Sequence, residues 1–301
     1  NPAKEPAIPT LTEATLTKNT VSRFGAYVQD LISLPKYVKF FIGARYNYID
    51  TKADVYTYTT KSNAVTYNLD QPISPKVGII FQPKTNHTFF ASYSNSFSLN
   101  TGVDINGNAL TPSIIDQYEV GIKNRLCKGK MQLNITAYRI VNSNLAQTSL
   151  ANGNTNSNIK ELAGETVSKG VELDVICRSI KNLNIMLGYS FNETKYTESN
   201  IYIIGSELRY NPKNTANASV SYTFCKGKLK NLNLGLLSQY FGDRFAGRST
   251  RLTVANDAYK LVPINAYTVV DCMVGYSYKK ISINGKLSNI FNEMSYNVHD
   301  D

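Results

Sequence analysis

Side chains able to carry out chemistry are few in this chain and far apart. It has two histidines, His87 and His299, and four cysteines, Cys127, Cys177, Cys225 and Cys272. Hydrolytic chemistry needs a nucleophile, a base and an orienting carboxylate gathered in one place. His87 stands where a strand begins beside a short turn, His299 lies in the C-terminal tail, and neither is near an obvious partner. Catalysis is not expected. The cysteines include no CxxC pair that would suggest zinc, and they are too few and too scattered for a disulfide scaffold. Asp104, Asn106 and Asn108 superficially suggest a calcium loop, but their spacing and the missing terminal glutamate fail its requirement, so a turn is expected there. What remains is binding chemistry, carried by charged and aromatic side chains whose meaning depends on the elements beneath them.

Those elements belong to a folded chain. Of the 301 residues 42% are hydrophobic and only 18% are charged, which excludes a disordered polyelectrolyte. The net charge is +10, with lysine and arginine spread along the whole length. That spread reads as solvated loop and turn chemistry rather than a phosphate-binding patch, so nucleic acid is not an expected partner. No apolar run approaches the ~20 residues of a membrane helix. The start, Asn1-Pro2-Ala3-Lys4-Glu5-Pro6, has neither an initiator methionine nor a signal-peptide core, and a processed chain or a fragment is expected.

The dominant pattern is alternation with period two, the signal of a strand with unlike faces. Met131, Leu133, Ile135 and Ala137 share one face, and Gln132, Asn134 and Thr136 share the other. Ala218, Val220, Tyr222 and Phe224, then Leu183, Ile185, Leu187, Tyr189 and Phe191, then Ile281, Ile283 and Leu287 form similar apolar stripes. Twelve strands are expected, near 22–32, 36–48, 74–83, 87–97, 115–126, 130–142, 165–177, 182–194, 212–224, 230–241, 264–278 and 281–291. Many are long enough to cross a bilayer, for which a tilted strand needs ~9–11 residues. Six short connections alternate with five long ones, near 49–73, 98–114, 143–164, 195–211 and 242–263.

Short turns on one rim and long loops on the other are the anatomy of an antiparallel transmembrane β-barrel. In lipid every backbone donor and acceptor must be paired, so such a sheet closes on itself. Arg45, Glu119, Lys123, Glu172, Asp174, Asp271 and Lys286 fall on the polar parity and are expected to face the lumen. Tyr46, Tyr48, Tyr138, Tyr240 and Tyr276 near strand ends are expected to form the interfacial girdle.

Particular segments carry a resemblance. Phe24-Gly25-Ala26-Tyr27-Val28-Gln29-Asp30 with Phe41-Ile42-Gly43-Ala44-Arg45-Tyr46 resembles a mid-barrel hairpin of TonB-dependent siderophore receptors. Ser74-Pro75-Lys76-Val77-Gly78 and Tyr93-Ser94-Asn95-Ser96-Phe97-Ser98 resemble the next hairpin. The loop 100–110, leading to Gln117-Tyr118-Glu119-Val120-Gly121-Ile122-Lys123, is similar to the ferrichrome-type subgroup. Lys169-Gly170-Val171-Glu172-Leu173-Asp174 and Leu287-Ser288-Asn289-Ile290-Phe291-Asn292 complete a set that runs in order along nearly the whole chain.

The resemblance implies an all-β barrel of about twenty-two strands, closed around an N-terminal plug. Residues 1–301 would be part of that barrel domain, about twelve strands, without the plug, the first strands or the closing strand. It implies uptake of ferric siderophores across the outer membrane of a Gram-negative bacterium, energised by the TonB complex acting through the plug. Iron would enter only as part of the siderophore, no cofactor is implied, and the partners are the ferric siderophore, the TonB complex and outer-membrane lipid. Bulky polar chelates call for aromatic surfaces and hydrogen-bond donors on outward loops, which makes Tyr56, Tyr58, Tyr202, Phe241, Arg244 and Arg248 the candidate contacts. An autonomous porin or adhesin of about twelve strands is the alternative.

Overall fold

The computed structural model describes residues 14–34, 36–154, 156–178, 180–247 and 261–294. All twelve expected strands are present, with three short additions. In chain order they are β1 (Thr15–Ser33), β2 (Val38–Thr57), β3 (Ser62–Asp70), β4 (Ile73–Lys84), β5 (His87–Ser98), β6 (Ser113–Leu126), β7 (Met131–Thr148) and β8 (Lys160–Cys177). There follow β9 (Leu183–Glu198), β10 (Asn214–Thr223), β11 (Leu232–Phe241), β12 (Arg244–Ala246), β13 (Val262–Ile264), β14 (Tyr267–Tyr278) and β15 (Ile281–Leu287). Among the described residues the only helical pieces are single 3₁₀ turns at Cys127–Gly129 and Ala151–Gly153.

Thirteen strands make one sheet, ordered β1-β2-β4-β5-β6-β7-β8-β9-β10-β11-β14-β15, with β3 also paired to β2; β12 and β13 form a separate ribbon. Every pairing between these described strands is antiparallel. The described sheet is open, with β1 and β15 at its edges.

Register aligns the stripes from strand to strand. One row runs Phe81, Phe89, Ile122, Ile135, Leu173, Tyr189, Ala216. A row on the other face runs Lys123, Asn134, Asp174, Gly188, Asn217, Gln239. A one-residue slip would exchange the two faces, so the alternation itself enforces the register. The apolar face is not packed against a second layer: Ile79, Val120, Val171, Leu187, Leu236 and Val274 are all exposed. Only Ile49, Leu110, Val167, Tyr196 and Ile264 are buried hydrophobics among the described residues. A sandwich would bury its stripes. This wall presents them outward, as a barrel does to lipid.

Because neighbours are antiparallel, the short turns at 34–37, 85–86, 127–130, 178–182, 224–231 and 279–280 lie at one end of the strands. The described residues of the long connections 99–112, 149–159, 199–213 and 242–266 lie at the other, together with the hairpin of β2 and β3. The turn after β6 needs three successive positive φ values, Cys127 at 52°, Lys128 at 58° and Gly129 at 85°.

Three expectations are corrected. The long loop expected at 49–73 is largely strand: β2 continues to Thr57 and pairs its upper half, Ile49–Thr57, with β3. β-branched and aromatic residues, Val55, Tyr56, Val65, Thr66 and Tyr67, carry that hairpin beyond the wall. The last strand stops at Leu287 rather than 291, because Asn289 takes φ 51° and its side chain accepts the Glu293 N–H at 2.8 Å in a turn. Tyr138 is not a girdle residue. It pairs with Glu119 and Gly170 on the polar face, the parity it shares with Gln132, Asn134 and Thr136. Tyr46, Tyr48, Tyr240 and Tyr276 do lie on the apolar parity.

Candidate functional site

The polar wall comes first. Arg45 on β2, Glu119 and Lys123 on β6, Glu172 and Asp174 on β8, Asp271 on β14 and Lys286 on β15 all stand on the polar parity. They do not form one cluster. Arg45 donates from Nε to Asn47 Oδ1 at 2.8 Å. Glu119 accepts from Gln117 Nε2 at 2.6 Å and Ser92 Oγ at 3.3 Å. The Lys123 ammonium lies 5.1 Å from the Phe90 ring centroid. Lys286 pairs with Asp271 at 2.7 Å, and the other Asp271 oxygen accepts the Asn289 N–H at 2.8 Å. Glu172 and Asp174 are exposed opposite Thr136 and Asn134.

The rim residues divide into two sectors. Tyr56 and Tyr58 meet edge-on, 5.1 Å apart at 88°, at the tip of the β2–β3 hairpin, with Tyr56 on the parity of Tyr46 and Tyr48. Six strand spacings separate β2 from β9, roughly 29 Å along the sheet. On the far side Tyr202 packs on Tyr196 with centroids 4.7 Å apart. Phe241 stacks on Tyr267 at 5.1 Å and 23°, and the Arg244 guanidinium lies 5.2 Å from the same Tyr267 ring. The Tyr210 N–H donates to the Phe245 carbonyl at 2.7 Å, tying the loop after β9 to β12. Tyr202, Phe241 and Arg244 are therefore brought into one sector of the rim, and Tyr56 and Tyr58 are not. Arg248 lies outside the described residues.

Polar contacts pin the loops around this sector. Buried Gln147 accepts through Oε1 from Ser199 Oγ at 2.9 Å and from the Asn200 N–H at 3.1 Å. Asn200 Nδ2 also reaches Glu161 Oε1. Lys213 pairs with Glu207 at 2.6 Å, and that hydrogen bond raises the lysine pKa above its ordinary value. Asp104 closes its own turn, accepting the Asn106 and Asn108 N–H groups at 2.9 and 2.7 Å. With the Asn108 side-chain amide, these bonds hold the carboxyl below its usual range.

Residues 2–290 match a protein family described as TonB dependent receptor-like, beta-barrel. The chain belongs to that family. Barrels of this family are outer-membrane proteins, and the named relatives of this TonB-dependent receptor barrel are receptors and transporters. The ferrioxamine B receptor of Salmonella typhimurium is 27% identical over 268 residues, which cover 89% of this chain and 35% of that protein. The ferrichrome outer membrane transporter/phage receptor of Escherichia coli is 26% identical over 267 residues, 89% of this chain and 33% of the transporter. The chain thus spans about a third of the length of these relatives. In fold it is similar to the siderophore receptor PiuA of Acinetobacter baumannii, with a TM-score of 0.76 at 18% identity over 92% of this chain and 40% of PiuA.

Within this receptor barrel, reasoning from sequence alone missed Tyr196, Tyr210 and Tyr267, as well as Arg209, whose guanidinium lies 5.5 Å from the Tyr210 ring. Tyr267 had a readable signal, since an aromatic opening a strand is a candidate for the rim. Its pairing with Phe241, itself a candidate contact, could not be read, because a long connection separates them.

Proposed function

We propose that the protein carrying this chain is an outer-membrane receptor that takes up ferric siderophores, energised by the TonB complex. The observation that carries this reading is the sector around Tyr267, where stacked rings and a guanidinium stand on the long-loop rim above a polar wall. Ferric siderophores are bulky, oxygen-rich chelates that already saturate their iron. A receptor for them offers ring faces and fixed N–H donors, and no protein ligand to the metal. The relatives named for ferrioxamine B and ferrichrome support the substrate class.

In this reading the outward loops seat the chelate, with Tyr202, Phe241, Arg244 and Tyr267 as contacts. The exposed carboxylates Glu172 and Asp174 stand on the wall against which a plug would bear. Pulling on that plug by the TonB complex opens the path, and the barrel contributes a rigid polar conduit with an oil-compatible exterior. Deleting the full-length gene and measuring iron-limited growth on single ferric chelates, ferrioxamine B and ferrichrome first, tests the proposal. Loss of growth on at least one chelate, restored by the intact gene, is expected. Unchanged uptake of every siderophore offered would remove the substrate assignment.

A further inference from the structure

The cations that look evenly scattered along the chain are gathered by the topology. The six short turns with their immediate strand ends, 34–37, 82–87, 124–130, 177–182, 224–231 and 278–281, hold twelve lysines and arginines and no aspartate or glutamate. The whole chain carries only +10, so everything outside these turns sums to a small negative charge. All twelve side chains belong to exposed residues, and none is in an ion pair among the described residues. An uncompensated row of like charges raises the free energy of the bare rim and asks for an anionic counterpart.

Position decides which anion. Lys128 and Lys130 fall between Leu126 and Met131, and Lys279 and Lys280 between Tyr278 and Ile281, all four flanking residues on the apolar parity. Lys226 and Lys228 follow Phe224 in the same way. At ~3.3 Å per residue each cation sits within ~10 Å of the last oil-facing side chain, at the depth of lipid headgroups. The turns also form a line rather than a patch, extending along a twelve-strand path for roughly 50 Å. A folded acidic protein would be met by a compact patch, whereas a line parallel to the membrane plane fits a leaflet. We infer that the short-turn rim is a binding surface for anionic phospholipid headgroups of the leaflet it borders. In an outer-membrane barrel that is the periplasmic leaflet.

The inference rests on the barrel's placement in a membrane and not on its cargo, so its test contains no iron chelate. The complete receptor is reconstituted in phosphatidylethanolamine vesicles with spin-labelled phosphatidylglycerol or phosphatidylcholine, and boundary-lipid association is read by electron spin resonance. A preference of roughly fivefold or more for phosphatidylglycerol is expected at low salt, collapsing at high salt. Replacing Lys128, Lys130, Lys226, Lys228, Lys279 and Lys280 by glutamine should reduce the preference severalfold. Replacing Lys18, Lys52 and Lys61, on the opposite half of the wall, should leave it intact. The wild-type salt titration stands even if the six-fold variant folds poorly. No preference, or a preference that survives the six substitutions, would each overturn the inference.

Discussion

Phe241 and Tyr267 face each other across β11 and β14 as register partners, their rings stacked 5.1 Å apart on the polar parity. Tyr267 serves two neighbours at once, since the Arg244 guanidinium lies 5.2 Å from its centroid. A stacked pair contributes about 0.5–1.5 kcal/mol beyond burial, and an exposed cation over a ring about 0.5–1 kcal/mol. Tyr267→Ala removes both and is expected to weaken ferric chelate binding by about tenfold, whereas Tyr267→Phe keeps both and binds normally. Titrating the complete receptor with ferric chelate, read by intrinsic fluorescence, distinguishes the two. Equal affinity of the alanine variant and wild type would take this platform out of the binding site.

Gly170 permits Tyr138 to lie flat on the polar wall. A Cβ at Gly170 would enter the Tyr138 ring and stand 2.6 Å from the Phe191 carbonyl oxygen. Glycine within a strand often marks such a close approach. Gly170→Ala is expected to destabilise the barrel by about 1–3 kcal/mol, the usual cost of overpacking. Tyr138→Ala opens the ring side but leaves the Phe191 carbonyl in place, so the double variant recovers only part of the loss. The temperature at which the folded band converts to the unfolded band on a gel measures both effects.

Asp104 links the fold of the 99–112 loop to pH. Its carboxyl is held below the usual range chiefly by the Asn108 side-chain amide, with backbone N–H groups of Asn108 and Asn106 adding to it. A depressed folded pKa means that this stabilisation is present above the unfolded carboxylate value and is lost as pH falls through the folded one. Amide-exchange protection at Asn106 and Asn108 is therefore expected to be full at neutral pH and to fade on acidification. Asp104→Ala should abolish the protection at every pH. Protection that ignores both pH and the substitution would show that the loop is held from elsewhere.

How much of this was readable in advance depended on whether the information lay within one strand. The parity of Arg45, Glu119, Lys123, Glu172, Asp174, Asp271 and Lys286 is legible in the sequence because parity is a property of a single strand. For Tyr138 two signals conflict: nearness to a strand end points to the girdle, while the parity it shares with Gln132, Asn134 and Thr136 points to the polar face, where it stands. The Phe241–Tyr267 pair was hidden because register between β11 and β14 is settled across residues 242–266, whose length says nothing about pairing. The β2–β3 hairpin reads as loop in the sequence because Asn, Asp, Lys, Ser and Thr interrupt its apolar residues, chemistry suited to water on both faces. The cationic rim was invisible for a geometric reason. Turns that recur at intervals along the chain spread their lysines through the sequence, and only antiparallel stacking collects them at one edge.

Ile135 and Thr136 are neighbours with opposite surroundings, and they test the assignment of faces. Ile135 lies between Ile122 and Leu173 in the middle of the apolar row, while Thr136 lies opposite Glu172 on the polar wall. Arginine at a lipid-facing position near the membrane midplane costs about 2–4 kcal/mol. Ile135→Arg is therefore expected to reduce the amount of folded barrel in the outer membrane several-fold and to lower its unfolding temperature. Thr136→Arg places the same side chain where Glu172 can pair with it, and should assemble at close to the wild-type level. The comparison holds size, charge and chain position nearly constant, so the difference isolates the medium each face meets. Equal tolerance of both arginines would mean that the apolar row is not in contact with lipid, and reversed tolerance would mean that the two faces have been exchanged.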